Sequence, residues 1–424
     1  MPEIAGALRA AGRRFGTPAY VTDVATIHAS AAAVAVAFPD PWIRQFSVKA
    51  NDVPAVIRAV AEAPGGPGAN VVSRGEWAAA GAAGLPNDRL TLEGVGKTDA
   101  DLRAAVRAAR NGRPLLWVAV ESVDELSALA RLAGSLAPPD AVDVLLRLNP
   151  DVAPETHHAL AVGRGASKFG LTETELTEAV DAYAAAPRLR LRGIHLHVGS
   201  QLGAVDAWRD GVRRALALVG LLRGGLENFD TLDLGGGFPV PPLGEPAPEP
   251  ERFARELPPL LDAIPVDRRP RRLAIEPGRY LVARAGWLVA RVLHARARAS
   301  RQIVLDAGIT ELIRPALYGA RHDVVALTSL GAPVDHAARL PGPGANDADV
   351  ADVHGPICES TDALGEHLLP PLRRGDLVAI RDAGAYAASF SSTYNGRPRP
   401  PQVLLLGDGS LRLGRRRGSL ATLR

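Results

Sequence analysis

Two residue types are almost missing from this chain of 424 residues. Cysteine occurs once, at Cys358, which excludes an internal disulfide and suits a reducing compartment. Lysine occurs only at Lys49, Lys97 and Lys168, so 46 of the 49 basic residues are arginine. Aromatic residues make up 4%, so those that stand beside motifs weigh more. No apolar run approaches the roughly 20 residues that span a bilayer, which predicts no membrane helix. No block of like charge is longer than Arg415-Arg416-Arg417, and the net charge is only +3, which gives no nucleic-acid surface. Met1-Pro2-Glu3 lacks the charged-then-apolar order of a secretory signal. A cytoplasmic protein with neither a membrane nor a nucleic-acid partner is expected. Its length predicts two domains with ample core.

What is present begins with Phe46-Ser47-Val48-Lys49-Ala50-Asn51. A short apolar run from Trp42 ends on Lys49 and turns into a helical pattern near Val53. Burying an ammonium group is costly. Arginine supplies charge elsewhere in the chain, but it cannot supply an amine that becomes neutral and attacks a carbonyl. Lys49 is therefore a candidate Schiff-base lysine, against the plainer reading of a strand-end lysine reaching solvent.

From there a beat sets in. Strand-like runs fall at 42–49, 68–73, 89–94, 114–120, 142–149, 190–198, 229–234 and 272–276. Alanine- and leucine-rich helical stretches follow most of them, at 53–62, 76–83, 98–109, 122–132, 172–186, 204–222 and 251–263. Strand-then-helix units repeated eight times predict a parallel (β/α)8 barrel over 25–279. Chemistry should then collect where strands end. Lys49 closes the first run, Ser73 and Glu76 follow the second, and Glu93 closes the third. Glu121 follows the fourth, and Arg147 and Asn149 close the fifth. His197, Ser200 and Gln201 close the sixth, Gly235-Gly236-Gly237 the seventh, and Glu276 the eighth. Residues 1–24 give a helix and a short strand from Ala19 to Thr22. After Arg279 the pattern is extended, at Leu281–Val292, Gln302–Leu305, Leu377–Ile380 and Gln402–Leu413, the last broken by Gly407-Asp408-Gly409. Residues 1–24 and 280–424 thus predict a β-rich barrel or sandwich domain, with surface loops over 241–250 and 337–350.

The motifs allow more than one chemistry. The glycine triplet offers backbone amides that can cradle a phosphate, or simply a tight turn. Strand alternation puts His195 and His197 on one face, but no carboxylate at matching spacing completes a metal site. His197, nearer the rim, suits stacking on a planar cofactor, while His195 suits a core hydrogen bond. Glu276 and Arg279, three residues apart, fit either a structural ion pair or a carboxylate that holds a pyridinium proton. Cys358, in Gly355-Pro356-Ile357-Cys358-Glu359-Ser360, sits where a thiol can act as an acid.

Together these residues resemble the fold-type III pyridoxal-phosphate decarboxylases of the diaminopimelate and ornithine decarboxylase group. The resemblance runs through Gly16-Thr17-Pro18-Ala19-Tyr20-Val21, Val48-Lys49-Ala50-Asn51, Val72-Ser73-Arg74-Gly75-Glu76 and Gly94-Val95-Gly96-Lys97-Thr98. It continues through Ser167-Lys168-Phe169-Gly170, His197-Val198-Gly199-Ser200-Gln201, the glycine triplet and Glu276-Pro277-Gly278-Arg279. Arg314-Pro315-Ala316-Leu317-Tyr318-Gly319, Cys358-Glu359-Ser360, Gly384-Ala385-Tyr386 and Tyr394-Asn395 complete it. The resemblance implies that Lys49 carries pyridoxal 5'-phosphate (PLP), that His197 stacks on the ring, and that Glu276 pairs with the ring nitrogen. Gly235, Gly236, Gly237, Ser200, Gly278 and Tyr386 would hold the phosphate, with Arg279 beside them. Arg279, Arg314 and Tyr318 would grip a substrate carboxylate, with Tyr386 nearby. Glu359 would read an amino group. Cys358, reaching in from a second subunit of a homodimer, would return the proton after CO2 leaves. The first strand would belong to the second domain.

The Arg-Pro-Ala-Leu-Tyr and Cys-Glu-Ser motifs look like the diaminopimelate branch, which implies meso-2,6-diaminopimelate as substrate and L-lysine and CO2 as products. An arginine fork suits a distal carboxylate better than an amine tail. The alternative is a paralogue of specialised metabolism acting on another amino acid or a carrier-bound one. A fold-related racemase would not need the Cys-Glu-Ser loop, and a cofactor-free regulator would not need both Lys49 and Cys358. Three positions depart from the family pattern. Asn70 stands where aspartate is usual, which shifts the charge balance around Arg147. Phe46-Ser47 replaces a tyrosine-alanine pair, and Thr361 replaces a small residue.

Overall fold

The computed structural model describes residues 2–157, 161, 163, 167–226, 228–327 and 350–423. The loop expected over 337–350 lies, but for its last residue, outside the described residues.

Eight parallel strands close into a barrel: Ile43–Ser47, Gly68–Val71, Leu90–Leu92, Trp117–Val120, Val142–Leu148, Leu189–Leu196, Thr231–Asp233 and Arg272–Ile275. The last pairs with the first through Ile43 and Ala274. Each strand buries one face in the barrel and the other under helices, which is why they read as unbroken apolar runs. Trp117, Val118, Ala119 and Val120 are all fully buried, for example.

Helices Pro54–Ala61, Arg74–Ala82, Asp99–Arg110, Val123–Ala133, Glu173–Tyr183 and Asp206–Leu222 fall where the periodicity puts them. Ser73, Thr98, Ser122 and Thr172 start four of these helices, each hydroxyl accepting an N–H from three residues ahead. Ser73 is thus a helix cap. Glu76 folds back to accept the Val72 N–H at 2.9 Å. Both follow the second strand for local reasons.

Three elements differ from expectation. The helix over 251–263 is two short ones, Pro250–Ala254 and Leu257–Asp262, because Pro258 and Pro259 lack the N–H that would continue the first. The eighth strand is followed only by the turn-long helix Arg279–Val282, so the expected strand from Leu281 starts later, as Gly286–Ala297. The outer ring is instead completed by Val24–Ala37, which precedes the first strand and packs on Pro54–Ala61, Pro250–Ala254 and Arg279–Val282.

The second domain is β-rich as expected, nine strands of mixed direction, in which the long strand Gly286–Ala297 pairs with Ala19–Asp23 and Leu377–Ile380 through its first half and with Arg301–Leu305 through its second. Ala19–Asp23 lies inside it, antiparallel to Gly286–Ala297 and parallel to Gln402–Leu405. Gln402–Leu405 and Leu411–Arg415 form the hairpin expected around Gly407-Asp408-Gly409. Two glycines let this sheet reach the barrel rim. A side chain at Gly286 would run into the Gly384 backbone. Gly384 in turn accepts the Asn51 amide at 3.0 Å, and the Tyr386 N–H reaches the Ala50 carbonyl at 2.8 Å. The Ser389 hydroxyl donates to the Lys49 carbonyl at 3.0 Å. The backbone from Lys49 to Asn51 is therefore pinned by the second domain.

Because Val24–Ala37 fills the last place in the helix ring, Ile27→Ala should lower the unfolding free energy by about 2–5 kcal/mol. Val36→Ala on the same helix, at a side chain 74% exposed, should change it by less than about 0.5 kcal/mol. Urea denaturation of the two variants checks this.

Candidate active site

A cavity of about 410 Å³ opens at the rim where the barrel strands end. Lys49 lines it from the single turn Val48–Ala50, just beyond its strand. His197, Ser200, Gly237, Glu276, Gly278, Arg279 and Tyr386 line it as well. His197 lies just past the end of Leu189–Leu196. Its Nδ1 accepts the Gly236 N–H at 3.2 Å, and burial together with the Lys49 charge pushes its pKa well below the ordinary value. The ring is neutral, flat and fixed by the glycine turn.

The glycine triplet is close-packed. Gly235 and Gly237 have φ of 65° and 110°, and a side chain at Gly236 would meet the Glu276 carbonyl. Two of its amides are already engaged, Gly235 by Asp233 Oδ1 at 2.9 Å and Gly236 by His197. Among the described residues no acceptor takes the Gly237 N–H.

At the base of the cavity lies a buried cluster of Glu93, Glu276, Asp233, His195 and Asn70, of which Glu93, His195 and Glu276 line it. The Asn70 amide donates one hydrogen bond to Glu93 Oε2 and another to Glu276 Oε1. His195 Nε2 stands 3.5 Å from a carboxylate oxygen of each glutamate. Carboxylates do accompany His195, then, although no spacing in the sequence announces them. Glu93, His195 and Glu276 offer donor atoms within 4.8 Å of one another, but the Asn70 amide takes the place between the carboxylates that a cation would need. Burial, with Glu276 next to it, pushes the Glu93 pKa up to about 8. Burial lowers His195 to about 4 and raises Asp233 well above the ordinary carboxyl value. The hydrogen bonds of Asn70 go to Glu93 and Glu276 and none to Arg147. Arg147 pairs with Glu121 at 2.5 Å and lies over the Phe169 ring, while Glu121 also accepts the Gly170 N–H at 3.0 Å. That network anchors the loop after the fifth strand. Behind it the fully buried Lys97 amine pairs with Glu125 at 3.0 Å.

Glu276 and Arg279 are not an ion pair. Arg279 donates to the Ser200 hydroxyl at 3.0 Å and lies over the Tyr386 ring at 4.6 Å. Its Nε and Nη1 are buried without hydrogen-bond partners. Arg314, at the start of Arg314–Tyr318, is also buried, and its Nε also lacks a partner. Burial, then the nearby Arg279 charge, pushes its pKa down to about 10. Tyr318 borders the same pair and stacks edge-on with His157. Cys358 and Glu359 are elsewhere. Both are exposed on the loop between Val350–His354 and Ala363–Leu368, and Glu359 accepts the Tyr394 hydroxyl at 2.8 Å. Neither lines the cavity of its own chain.

Residues 24–283 match the family described as pyridoxal-dependent decarboxylase, pyridoxal binding domain. The chain belongs to this family, in its diaminopimelate decarboxylase branch. It is similar to the diaminopimelate decarboxylase of Aquifex aeolicus, 35% identical over 97% of this chain and 91% of that protein. That of Pseudomonas aeruginosa is 38% identical over 97% of this chain and 92% of its own. The crystal structure of diaminopimelate decarboxylase from Helicobacter pylori complexed with L-lysine superposes with a TM-score of 0.86 at 28% identity, covering 98% of both chains. The family's cofactor is PLP, and the cavity fits it. It offers an amine on Lys49, a free glycine amide at Gly237, unpartnered Arg279 N–H groups, and a buried carboxylate in Glu276.

Sequence reasoning missed His322, whose ring meets Arg314, and Asp233 beneath the glycine turn. The signal for Asp233 was present as an acid closing a buried barrel strand just before the glycine triplet.

The Glu93 carboxyl keeps its proton in the folded protein up to about pH 8 but loses it near 4.5 when unfolded. The folded state therefore binds the extra proton, and stability falls as pH rises through that window. His195 works the other way below pH 6.5, where only the unfolded state takes up its proton and stability falls as pH falls. Between pH 6.5 and 8, Glu93→Gln should show a smaller drop in melting temperature than the wild type. An unchanged drop would mean that Glu93 is ionised in the fold.

Proposed function

We propose that this protein decarboxylates meso-diaminopimelate to L-lysine, with PLP held at the barrel rim and the second carboxylate of the substrate held by Arg279 and Arg314. The observation that carries the substrate reading is the pair of buried guanidiniums. Among the described residues neither makes an ion pair, they repel each other, and both keep buried N–H groups unpartnered. Such a pair requires an anion. A diamino diacid supplies one after its other end has been placed at the reacting centre, and ornithine does not.

The bound cofactor supplies a protonated pyridine ring that accepts the electron pair released when the carbon–carboxylate bond breaks. The chain provides the rest. Lys49 would offer the amine that attaches the cofactor. Glu276, held by the Asn70 amide, would set its carboxylate against the ring nitrogen. His197, neutral and braced by Gly236, covers a face of the ring. The Gly237 amide, Gly278, the Ser200 hydroxyl and Tyr386 receive the phosphate. Tyr318 closes over the distal carboxylate.

Decarboxylation leaves a carbon that needs a proton, and no thiol from the same chain reaches the cavity. Cys358 lent by a second copy of the chain would deliver it, and Glu359 on the same loop would receive the distal ammonium group. A homodimer with shared sites follows from that need.

Purified protein with PLP should release CO2 from meso-diaminopimelate and form L-lysine, and no turnover of that compound would reject the reading. Arg314→Ala should raise KM on the order of 100-fold, the ~2–3 kcal/mol of a charge-assisted hydrogen bond. Lys49→Ala and Cys358→Ala should each be inactive alone. Mixed in equal amounts and allowed to exchange subunits, they should recover about a quarter of wild-type activity, because half the dimers then carry one complete site. No recovery would mean that Cys358 serves its own chain or none.

A further inference from the structure

Arg314 has a partner of an unusual kind. Its Nη1 lies 2.9 Å from Nε2 of His322, and Nδ1 of the same ring lies 2.9 Å from the Arg381 carbonyl oxygen. His322 is almost wholly buried. A guanidinium only donates, so Nε2 must accept. A ring whose Nε2 accepts is neutral and carries its hydrogen on Nδ1, which then donates to Arg381. The chain settles the tautomer by geometry alone. Burial, followed by the positive charge of Arg314, holds the His322 pKa down at about 3, so the ring stays neutral wherever the protein is folded.

An aspartate or glutamate is the commoner companion for a buried arginine, and it would hold the guanidinium at least as firmly. It would also neutralise it. The nearest acid by charge, Asp382, is occupied by Arg284 at 2.7 Å. The backbone fixes the imidazole in turn. The Arg381 N–H donates to Asp323, next to His322, at 2.9 Å, so the two segments are tied in both directions.

We propose that His322 is a positioning residue for substrate selection: a neutral acceptor that aims the Arg314 guanidinium while leaving its full charge for the substrate's distal carboxylate. This rests on the reading of Arg314 given above. Loss of one carboxylate from diaminopimelate gives lysine, which keeps the distal one, and cadaverine is lysine without it. The difference between lysine and cadaverine binding therefore isolates the group that Arg314 reads.

The test is calorimetric titration of the PLP-loaded enzyme with L-lysine and with cadaverine, for wild type, Arg314→Ala, His322→Leu, His322→Gln and His322→Glu. The wild type should prefer lysine, and Arg314→Ala should lose that preference. His322→Leu should weaken lysine about tenfold, equivalent to ~1.4 kcal/mol, and leave cadaverine within about twofold. His322→Gln, which keeps an acceptor oxygen near the Nε2 position, should restore lysine binding to within about threefold of wild type. His322→Glu keeps an acceptor but adds an anion, and should reduce the preference about as much as His322→Leu does. A wild type that does not prefer lysine overturns the substrate reading and this inference with it. If the wild type prefers lysine and His322→Leu keeps that preference, or weakens both ligands equally, the inference alone falls. A full preference in His322→Glu would show that the neutrality of the ring is irrelevant and would overturn it as well.

Discussion

Glu276 and Arg279 share one turn, separated by Pro277 and Gly278, and they face opposite ends of the cavity. Opposite charges this close in sequence would ordinarily neutralise each other once buried, because an unpaired charge in a protein interior costs several kcal/mol. The turn prevents it. Gly278 packs so tightly on the first barrel strand that a side chain there would come within 2.9 Å of the Ser47 Cβ. That contact keeps the carboxylate pointing down among Asn70 and His195 and the guanidinium pointing out toward Tyr386. The cavity therefore has an acidic floor and a basic far wall, and each can be used by a bound molecule.

The floor is stable because its charge is rationed. Of the three acids there, Glu93 and Asp233 are driven toward their protonated forms by burial and then by the Glu276 charge. The Asn70 amide spends both hydrogens on Glu93 and Glu276. An aspartate at position 70, once ionised, could donate to neither and would add a charge to an already acidic pocket. The far wall follows the opposite rule. Arg279, and Arg314 outside the cavity lining, stay charged with hydroxyl, aromatic and imidazole companions, none of which cancels a positive charge.

Most of the barrel was legible because strands buried on both faces leave long apolar runs, and because Ser73, Thr98, Ser122 and Thr172 mark helix starts. Val24–Ala37 was not. Its alanines and valines surround the helix almost evenly, so no face stands out, and its role depends on closing a ring whose other members lie far along the chain. The rim residues Lys49, His197, Glu276 and Arg279 could be placed from strand ends alone. The partner of Asn70 could not, since Glu93 and Glu276 reach it from two other strands. His322 was invisible for the same reason, as only folding brings it beside Arg314. Cys358 was legible as a motif, yet its own fold leaves it at the surface, away from the chemistry it resembles.

The scarcity of lysine has a practical side. Lys97 is sealed against Glu125 with its amine fully buried. Reagents that acylate primary amines therefore meet very few side chains on the folded protein, chiefly Lys49 and Lys168. Metabolic acyl donors and glycating sugars would leave the surface nearly untouched, so chemical ageing of this enzyme should produce little drift in its surface charge.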